Sequence, residues 1–191
     1  NRERQKLMQL GVEKARQEVA ALGDQRVYVP ADESYLVGLA GLVSSRITDE
    51  FHRPSVVIAL EADVSRGSAR SISAFHITRA LDECHGLMVQ HGGHAAAAGL
   101  TIRNENIPAL RSELLRIANR DLTETDLIPS LKVDWVQPLT EVNGNTWQQI
   151  ELLRPFGVGN PTPVFASTNV EVRDVRAIGT DKPGLKLKLS D

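Results

Sequence analysis

A histidine beside paired glycines and a run of bare methyl groups marks the segment of this chain with the clearest chemical potential: Gln90-His91-Gly92-Gly93-His94, then Ala95 to Ala98 and Gly99-Leu100-Thr101-Ile102. Gly92 and Gly93 open backbone torsions closed to other residues and let the main chain approach a ligand closely. The alanines leave only small side chains where something bulky could lie, and His94 would be the polar group reaching into that space. The same residues also fit a tight turn feeding an alanine-rich helix start with an incidental histidine, and this segment alone leaves both readings open. A second candidate is Ser65-Arg66-Gly67-Ser68-Ala69-Arg70-Ser71. Ser68 and Arg70 lie two apart, so on a strand they project from one face. A hydroxyl and a planar guanidinium fork there can hold phosphate oxygens. The alternative is a pair of exposed strand residues.

Other chemistries find less support. Cys84, His85, His91 and His94 are all capable of binding metal, but only His91 and His94 carry half of a zinc-type spacing, and no metal site is expected. The sequence has no Gly-x-Ser-x-Gly nucleophile elbow and no Gly-Lys-Thr phosphate loop. A formal net charge of -2 argues against coating nucleic acid by bulk electrostatics, so such binding needs a local patch. Arg66, Arg70 and Arg79 fall in a stretch without acidic residues and form one candidate, against the alternative of solvated arginines on a sheet surface.

The elements that must position these residues follow from periodicity. Met8, Val12, Ala15, Val19 and Leu22 share a helical face, with Gly23 as the stop. Residues 26–30 read as a short strand, and Leu36, Leu39, Ala40, Val43, Ile47 and Phe51 as a helix ending before Pro54. Residues 55–60 form an apolar run suited to a buried strand, with 64–72 as its neighbour. Ser73 is a candidate cap for a helix to Cys84, residues 99–103 are a strand, and Ile107, Leu110, Leu114, Ile117 and Ala118 mark a helix. Strands alternating with helices predict an α/β layer. Composition shifts to a linker over 123–130. Strands are then expected over 131–136, 164–175 and 185–189 and a short helix over 146–153, which together read as a small β domain cut before its last strands.

The length of 191 residues leaves room for two small domains, and 41% hydrophobic with 24% charged residues predicts packed cores. The polar start, Asn1-Arg2-Glu3-Arg4-Gln5-Lys6, lacks a methionine and any signal-peptide pattern, as an excised fragment would. No apolar run reaches the roughly 20 residues of a membrane span. A single cysteine, Cys84, fits a reducing, cytoplasmic location.

Taken together, Gly38-Leu39-Ala40-Gly41-Leu42-Val43-Ser44-Ser45-Arg46, Gly67-Ser68-Ala69-Arg70-Ser71-Ile72, and Gly92-Gly93-His94 through Gly99-Leu100-Thr101 resemble, in order and spacing, the DHH-associated domain of the RecJ exonucleases. Leu152-Leu153-Arg154-Pro155-Phe156-Gly157-Val158-Gly159-Asn160-Pro161-Thr162-Pro163-Val164-Phe165 is similar to the opening of the RecJ OB-fold domain, and Asn1 to Gln5 to the start of the helix that leads in from the catalytic DHH domain.

The resemblance implies a connecting helix over 1–24, a DHH-associated substrate-binding domain over 25–124 with a mixed sheet flanked by helices, and a partial OB-fold domain over 125–191. It implies the substrate-binding part of a nuclease that degrades single-stranded DNA from its 5′ end, in DNA repair and recombination, acting as a monomer. Mn2+ or Mg2+ would be held by the DHH domain, which is missing from this chain, so the fragment alone would be inactive. His94 matches the family histidine that contacts the phosphate near the scissile bond and would stabilise the transition state electrostatically. Gly92 and Gly93 let it approach, and Ser68 and Arg70 match the grip on the 5′ end. One departure is Tyr35-Leu36-Val37, which stands where many members have Trp-His-Pro. It keeps open a non-catalytic nucleic-acid-binding or scaffold module. Aromatic residues are 4% of the chain, few for a fold that stacks bases, and core packing is the expected job for most of Trp135, Trp147, Phe156 and Phe165.

Overall fold

The computed structural model describes residues 2–179 and 184–190. Asn1, which opens the proposed connecting helix, and Asp191, after the last expected strand, lie outside them. The chain divides into two units, residues 1–129 and 130–191. Among the described residues no helix is long and apolar enough to cross a membrane.

The first unit is a five-stranded mixed sheet with helices on both faces. Its strands are β1 (Ala31–Asp32), β2 (Ser55–Ala59), β3 (Val64–Arg70), β4 (Met88–His94) and β5 (Ala97–Arg103), in the order β1-β2-β3-β5-β4. β1 runs parallel to β2, and the other pairs are antiparallel. The helices are α1 (Arg2–Leu22), α2 (Val37–Phe51), α3 (Ile77–Glu83) and α4 (Ile107–Asp121).

Alternation along the strands explains the two cores. Val56, Ile58, Ala69, Ala98, Leu100 and Ile102 point to one face and pack with Ile77, Leu81, Leu110, Leu114 and Ile117 of α3 and α4. Val57 and Ala59 point to the other and meet Val12, Ala15 and Val19 of α1 with Val43 and Ile47 of α2. Each valine, leucine or isoleucine among them, fully buried, contributes about 1.5–3 kcal/mol. Gly11 lets the two helices approach, since a Cβ there would stand 3.1 Å from Val43 Cγ2. Where α2 crosses the sheet, Ser44 and Thr48 are buried but satisfied, each hydroxyl 2.9 Å from the Ser55 hydroxyl.

Several local expectations are corrected. Of residues 26–30, Tyr28 forms an isolated bridge to Ser55 and the Pro30 carbonyl accepts from Ile58 N–H at 3.0 Å, but the regular strand is Ala31–Asp32. Pro30 between them has no N–H for the ladder. Ser73 does not cap α3. The His76 ring accepts from the Arg79 N–H at 3.2 Å, because the buried Phe75 and a 2.6 Å bond from the Ser71 hydroxyl to the Phe75 carbonyl hold residues 71–75 in a turn. The alanine run starts no helix: Ala95 and Ala96 are the tip of a hairpin, and Ala97 and Ala98 open β5.

The second unit holds β6 (Trp135–Val136), α5 (Gly144–Glu151), β7 (Phe165–Ala166), β8 (Glu171–Ile178) and β9 (Gly184–Ser190). β6 pairs parallel with β7, and β8 antiparallel with β9. The expected strand over 131–136 shrinks to two residues, and the one over 164–175 divides around Asn169, whose φ of 57° is left-handed. α5 starts earlier than expected because the Asn143 side chain caps it, accepting from Asn145 N–H at 2.9 Å and Thr146 N–H at 3.2 Å. Leu185, Leu187 and Leu189 alternate as expected but stay exposed rather than half-buried. The aromatic expectation is also corrected for the tryptophans. Trp135 and Trp147 are 54% and 59% exposed, and Trp135 leans on Phe165 with ring centroids 5.9 Å apart.

Candidate functional site

Cross-strand register places the candidate residues in three rows on one face of the sheet, because directly paired residues share a face. Arg70 pairs with Ala97, and Ala97 with His94. Ser68 pairs with Gly99, and Gly99 with Gly92. Arg66 pairs with Thr101, and Thr101 with Gln90. α2 borders these rows at β3, while Gly99, Gly92, His94 and Gln90 are exposed. Arg70, Ser68, Gly92 and His94 are thus brought together on an open surface.

Arg70 is half-buried. Its Nη1 donates to the Ser68 hydroxyl at 3.3 Å and to the Ala69 carbonyl at 2.8 Å. No carboxylate pairs with it among the described residues, so its charge is not neutralised within them. Arg66 differs: its Nε meets Glu61 Oε2 at 3.1 Å. Arg79 sits on α3, against the opposite face, so the three arginines do not assemble as one patch. Gly41 of α2 explains why the helix can lie so close. A Cβ there would come within 3.0 Å of Ser68 Oγ and 3.1 Å of Arg70 Nη2.

His94 ends β4 and is held through its backbone. Its carbonyl accepts from the Thr78 hydroxyl at 2.7 Å, and Ile77 N–H and Ser71 N–H donate to the Ala95 and Ala96 carbonyls, each at 3.0 Å. Its imidazole has no hydrogen-bond partner among the described residues. Gly93 faces the sheet's other side, and a Cβ there would lie 2.3 Å from the Ala97 carbonyl oxygen and 2.5 Å from Ala98 Cα. Gly93 is therefore glycine for packing. Gly92 is not, since a Cβ there would meet nothing within 4 Å.

His91 and His94 point to opposite faces. His91 Nε2 lies 2.8 Å from Asp82 Oδ1 of α3, and Cys84 is buried in the core, where loss of solvation pushes its thiol up to about 11. Among the described residues no three His, Cys, Asp or Glu side chains converge as a metal site. Tyr35, at the departure from Trp-His-Pro, is buried and donates to Glu18 Oε1 at 2.7 Å, while Glu18 Oε2 accepts from Ala31 N–H at 3.0 Å. Burial, and then Glu18, raise the phenol's pKa. Leu36 beside it is exposed.

Sequence reasoning passed over Thr78, Gly41 and Gly99 as site residues. Gly99 had a readable signal, a glycine inside a strand pattern. Thr78 had none, because its role depends on α3 folding under the hairpin.

By fold the chain has a mixed α/β module, in which part of one sheet face is open beside a guanidinium with no carboxylate partner among the described residues, and a small β unit. Residues 24–120 match the family model of the DHHA1 domain, and residues 133–191 that of the RecJ OB domain. The single-stranded-DNA-specific exonuclease RecJ of Bacillus subtilis is 36% identical over 99% of this chain and 24% of its own length. That of Haemophilus influenzae is 34% identical over 80% of this chain and 27% of its own. The crystal structure of Thermus thermophilus RecJ with Mn2+ superimposes with a TM-score of 0.83 at 25% identity, covering 98% of this chain and 27% of that one. A second, with Mg2+, gives 0.81. The chain belongs to the RecJ family. It spans about a quarter of the length of the relatives it matches.

Proposed function

We propose that this chain is the substrate-binding part of a RecJ-type exonuclease that hydrolyses phosphodiester bonds of single-stranded DNA from the 5′ end. The observation that carries the reading is the row Arg70–Ala97–His94: a guanidinium without a carboxylate partner and an imidazole without a hydrogen-bond partner among the described residues, on one open stretch of the sheet with only a methyl group between them. Arg70, with Ser68, grips the 5′-terminal phosphate by charge-assisted hydrogen bonds. His94 meets the phosphate near the scissile bond and donates a hydrogen bond as negative charge develops there. Gly92 leaves the space in which the strand lies, and Gly93 lets the hairpin close tightly enough to present the imidazole.

Among the described residues no three His, Cys, Asp or Glu side chains come together to hold a metal ion. Mn2+ or Mg2+, present in the related crystal structures, would be held by a DHH domain outside this chain, and the fragment alone would be silent. The full-length protein would act as a cytoplasmic monomer in which that domain and this open face enclose the DNA.

The test is Mn2+-dependent release of nucleotides from 5′-phosphorylated single strands by the full-length protein that carries this chain. His94→Ala should lower kcat by on the order of a hundredfold, and Arg70→Ala should mainly raise KM. Wild-type rates in both variants would overturn the assignments. Strand binding without any hydrolysis by the unaltered protein would mean a non-catalytic binding module instead.

A further inference from the structure

We propose that Gln90 and Thr101 hold the base edge of the 5′-terminal nucleotide, the one whose flanking phosphates rest on Arg70 and His94. The inference builds on the phosphate-binding role just given to that row.

The open face is not uniform. Arg70 and His94 make one bank of a shallow trough, Ser68, Gly99 and Gly92 its floor, and Arg66, Thr101 and Gln90 the other bank. Ser68 is the only floor residue with a side chain, and it is turned to Arg70. Gly92 and Gly99 leave the floor bare toward β4, and neither is glycine for packing: a Cβ on Gly92 would meet nothing within 4 Å, and one on Gly99 only the Gly67 carbonyl oxygen at 4.0 Å. From Arg70 to Arg66 is four residues of β3, about 13 Å along the strand.

The banks differ in charge. On the near bank Arg70 has no carboxylate partner among the described residues. On the far bank Arg66 is neutralised by Glu61, with a second contact from Nη2 to Oε1 at 3.4 Å. What remains there is one amide, Gln90, beside one hydroxyl, Thr101, paired across the strands and with no hydrogen-bond partner among the described residues. An amide and a hydroxyl each both donate and accept, so together they match the mixed donor and acceptor edge of a nucleobase, whereas the guanidinium that best suits an all-acceptor phosphate stands on the near bank. A nucleotide lying with its phosphates on the near bank carries its base across the bare floor to the far one. Because amide and hydroxyl can each turn to either pattern, the contact holds all four bases rather than selecting one.

The experiment compares 5′-phosphorylated strands that are normal or abasic at the 5′-terminal nucleotide, using the full-length protein with Mn2+. The double variant Gln90→Ala/Thr101→Val should raise KM about tenfold on the normal strand, the sum expected for two neutral hydrogen bonds, with kcat little changed. On the abasic strand it should match wild type. Gln90 is exposed and Thr101 half-buried, and Thr101→Val is nearly isosteric, so the melting temperature should stay close to that of wild type, and a fall in it with equal loss on both strands would overturn the proposal in favour of a structural role. No change on either strand would also overturn it. Arg70→Ala separates this from the reading beneath it: a raised KM on both strands, alongside an inert double variant, defeats only the base contact. Wild-type behaviour of Arg70→Ala and His94→Ala on both strands defeats the phosphate row itself.

Discussion

Gly92 and Gly93 are neighbours with opposite reasons for being glycine, and replacing each with alanine separates those reasons. At Gly93 the new Cβ would stand 2.3 Å from the Ala97 carbonyl oxygen, 2.5 Å from Ala98 Cα and 2.9 Å from Ala98 Cβ. These are mostly backbone atoms of the paired strand, so no side-chain rotation relieves the clash. Ordinary contact begins near 3.4 Å, so the hairpin must open by about 1 Å. Overpacking that forces backbone shifts costs about 1–3 kcal/mol, and a rigid obstacle belongs at the upper end, about 3 kcal/mol. The φ of 157° at Gly93 adds strain for any L side chain. Gly92→Ala meets open space and removes a flexible residue from a strand, so it should be neutral or stabilise by about 0.5–1 kcal/mol. The assay is hydrogen exchange of the β4 and β5 amides in the full-length protein. Gly93→Ala should speed it roughly hundredfold, the equivalent of about 3 kcal/mol, and Gly92→Ala should not. Hydrolysis should fall in both, in the first because His94 is displaced and in the second because a methyl group would intrude on the strand path proposed above. Equal exchange in the two variants would refute the reasoning.

Two further outcomes follow from single contacts. Thr78→Val removes the bond that fixes the His94 carbonyl and should lower kcat about threefold to tenfold with little change in KM, while Thr78→Ser should restore it; an unchanged kcat in the valine variant would show that β5 alone sets the histidine. Asp32, held by the Ser34 side chain and N–H and then by Lys14 at 3.0 Å, has its pKa lowered from 3.8 to about 2. Its contribution is therefore present above about pH 4 and lost as pH falls towards 2, so the stability gap between wild type and Asp32→Asn should close over that window in acid unfolding, and a gap constant from pH 6 to 2 would contradict it.

The parts of this structure that could be read from sequence are those where one periodicity dominates. α2 and α4 carry long apolar stripes, and β2 is five buried residues in a row, so each declares itself without its neighbours. The strand-face pairing of Ser68 with Arg70 needed only a period of two. The alanine run misleads because alanine favours helix intrinsically, whereas its pairing with β3 and β4 on both sides decides for strand. Ser73 looked like a cap because capping chemistry is local, yet burial of Phe75 moved the helix start to Ile77. The candidate site was legible as residue types and as a family resemblance. Its three-row order was not, because register between β3, β5 and β4 is a long-range property, and neither was the neutralisation of Arg66 by Glu61 or the brace from Thr78.

The central claim is that Arg70 and His94 form one phosphate-binding row, and the most direct measurement is the ratio of KM for 5′-hydroxyl and 5′-phosphorylated single strands in the full-length protein and its Arg70→Ala variant. A charge-assisted contact to the terminal phosphate is worth about 1.5–3 kcal/mol, so wild type should favour the phosphorylated strand by roughly tenfold to a hundredfold, and Arg70→Ala should bring the ratio close to one. A variant that keeps the wild-type preference for the phosphorylated end would contradict the account.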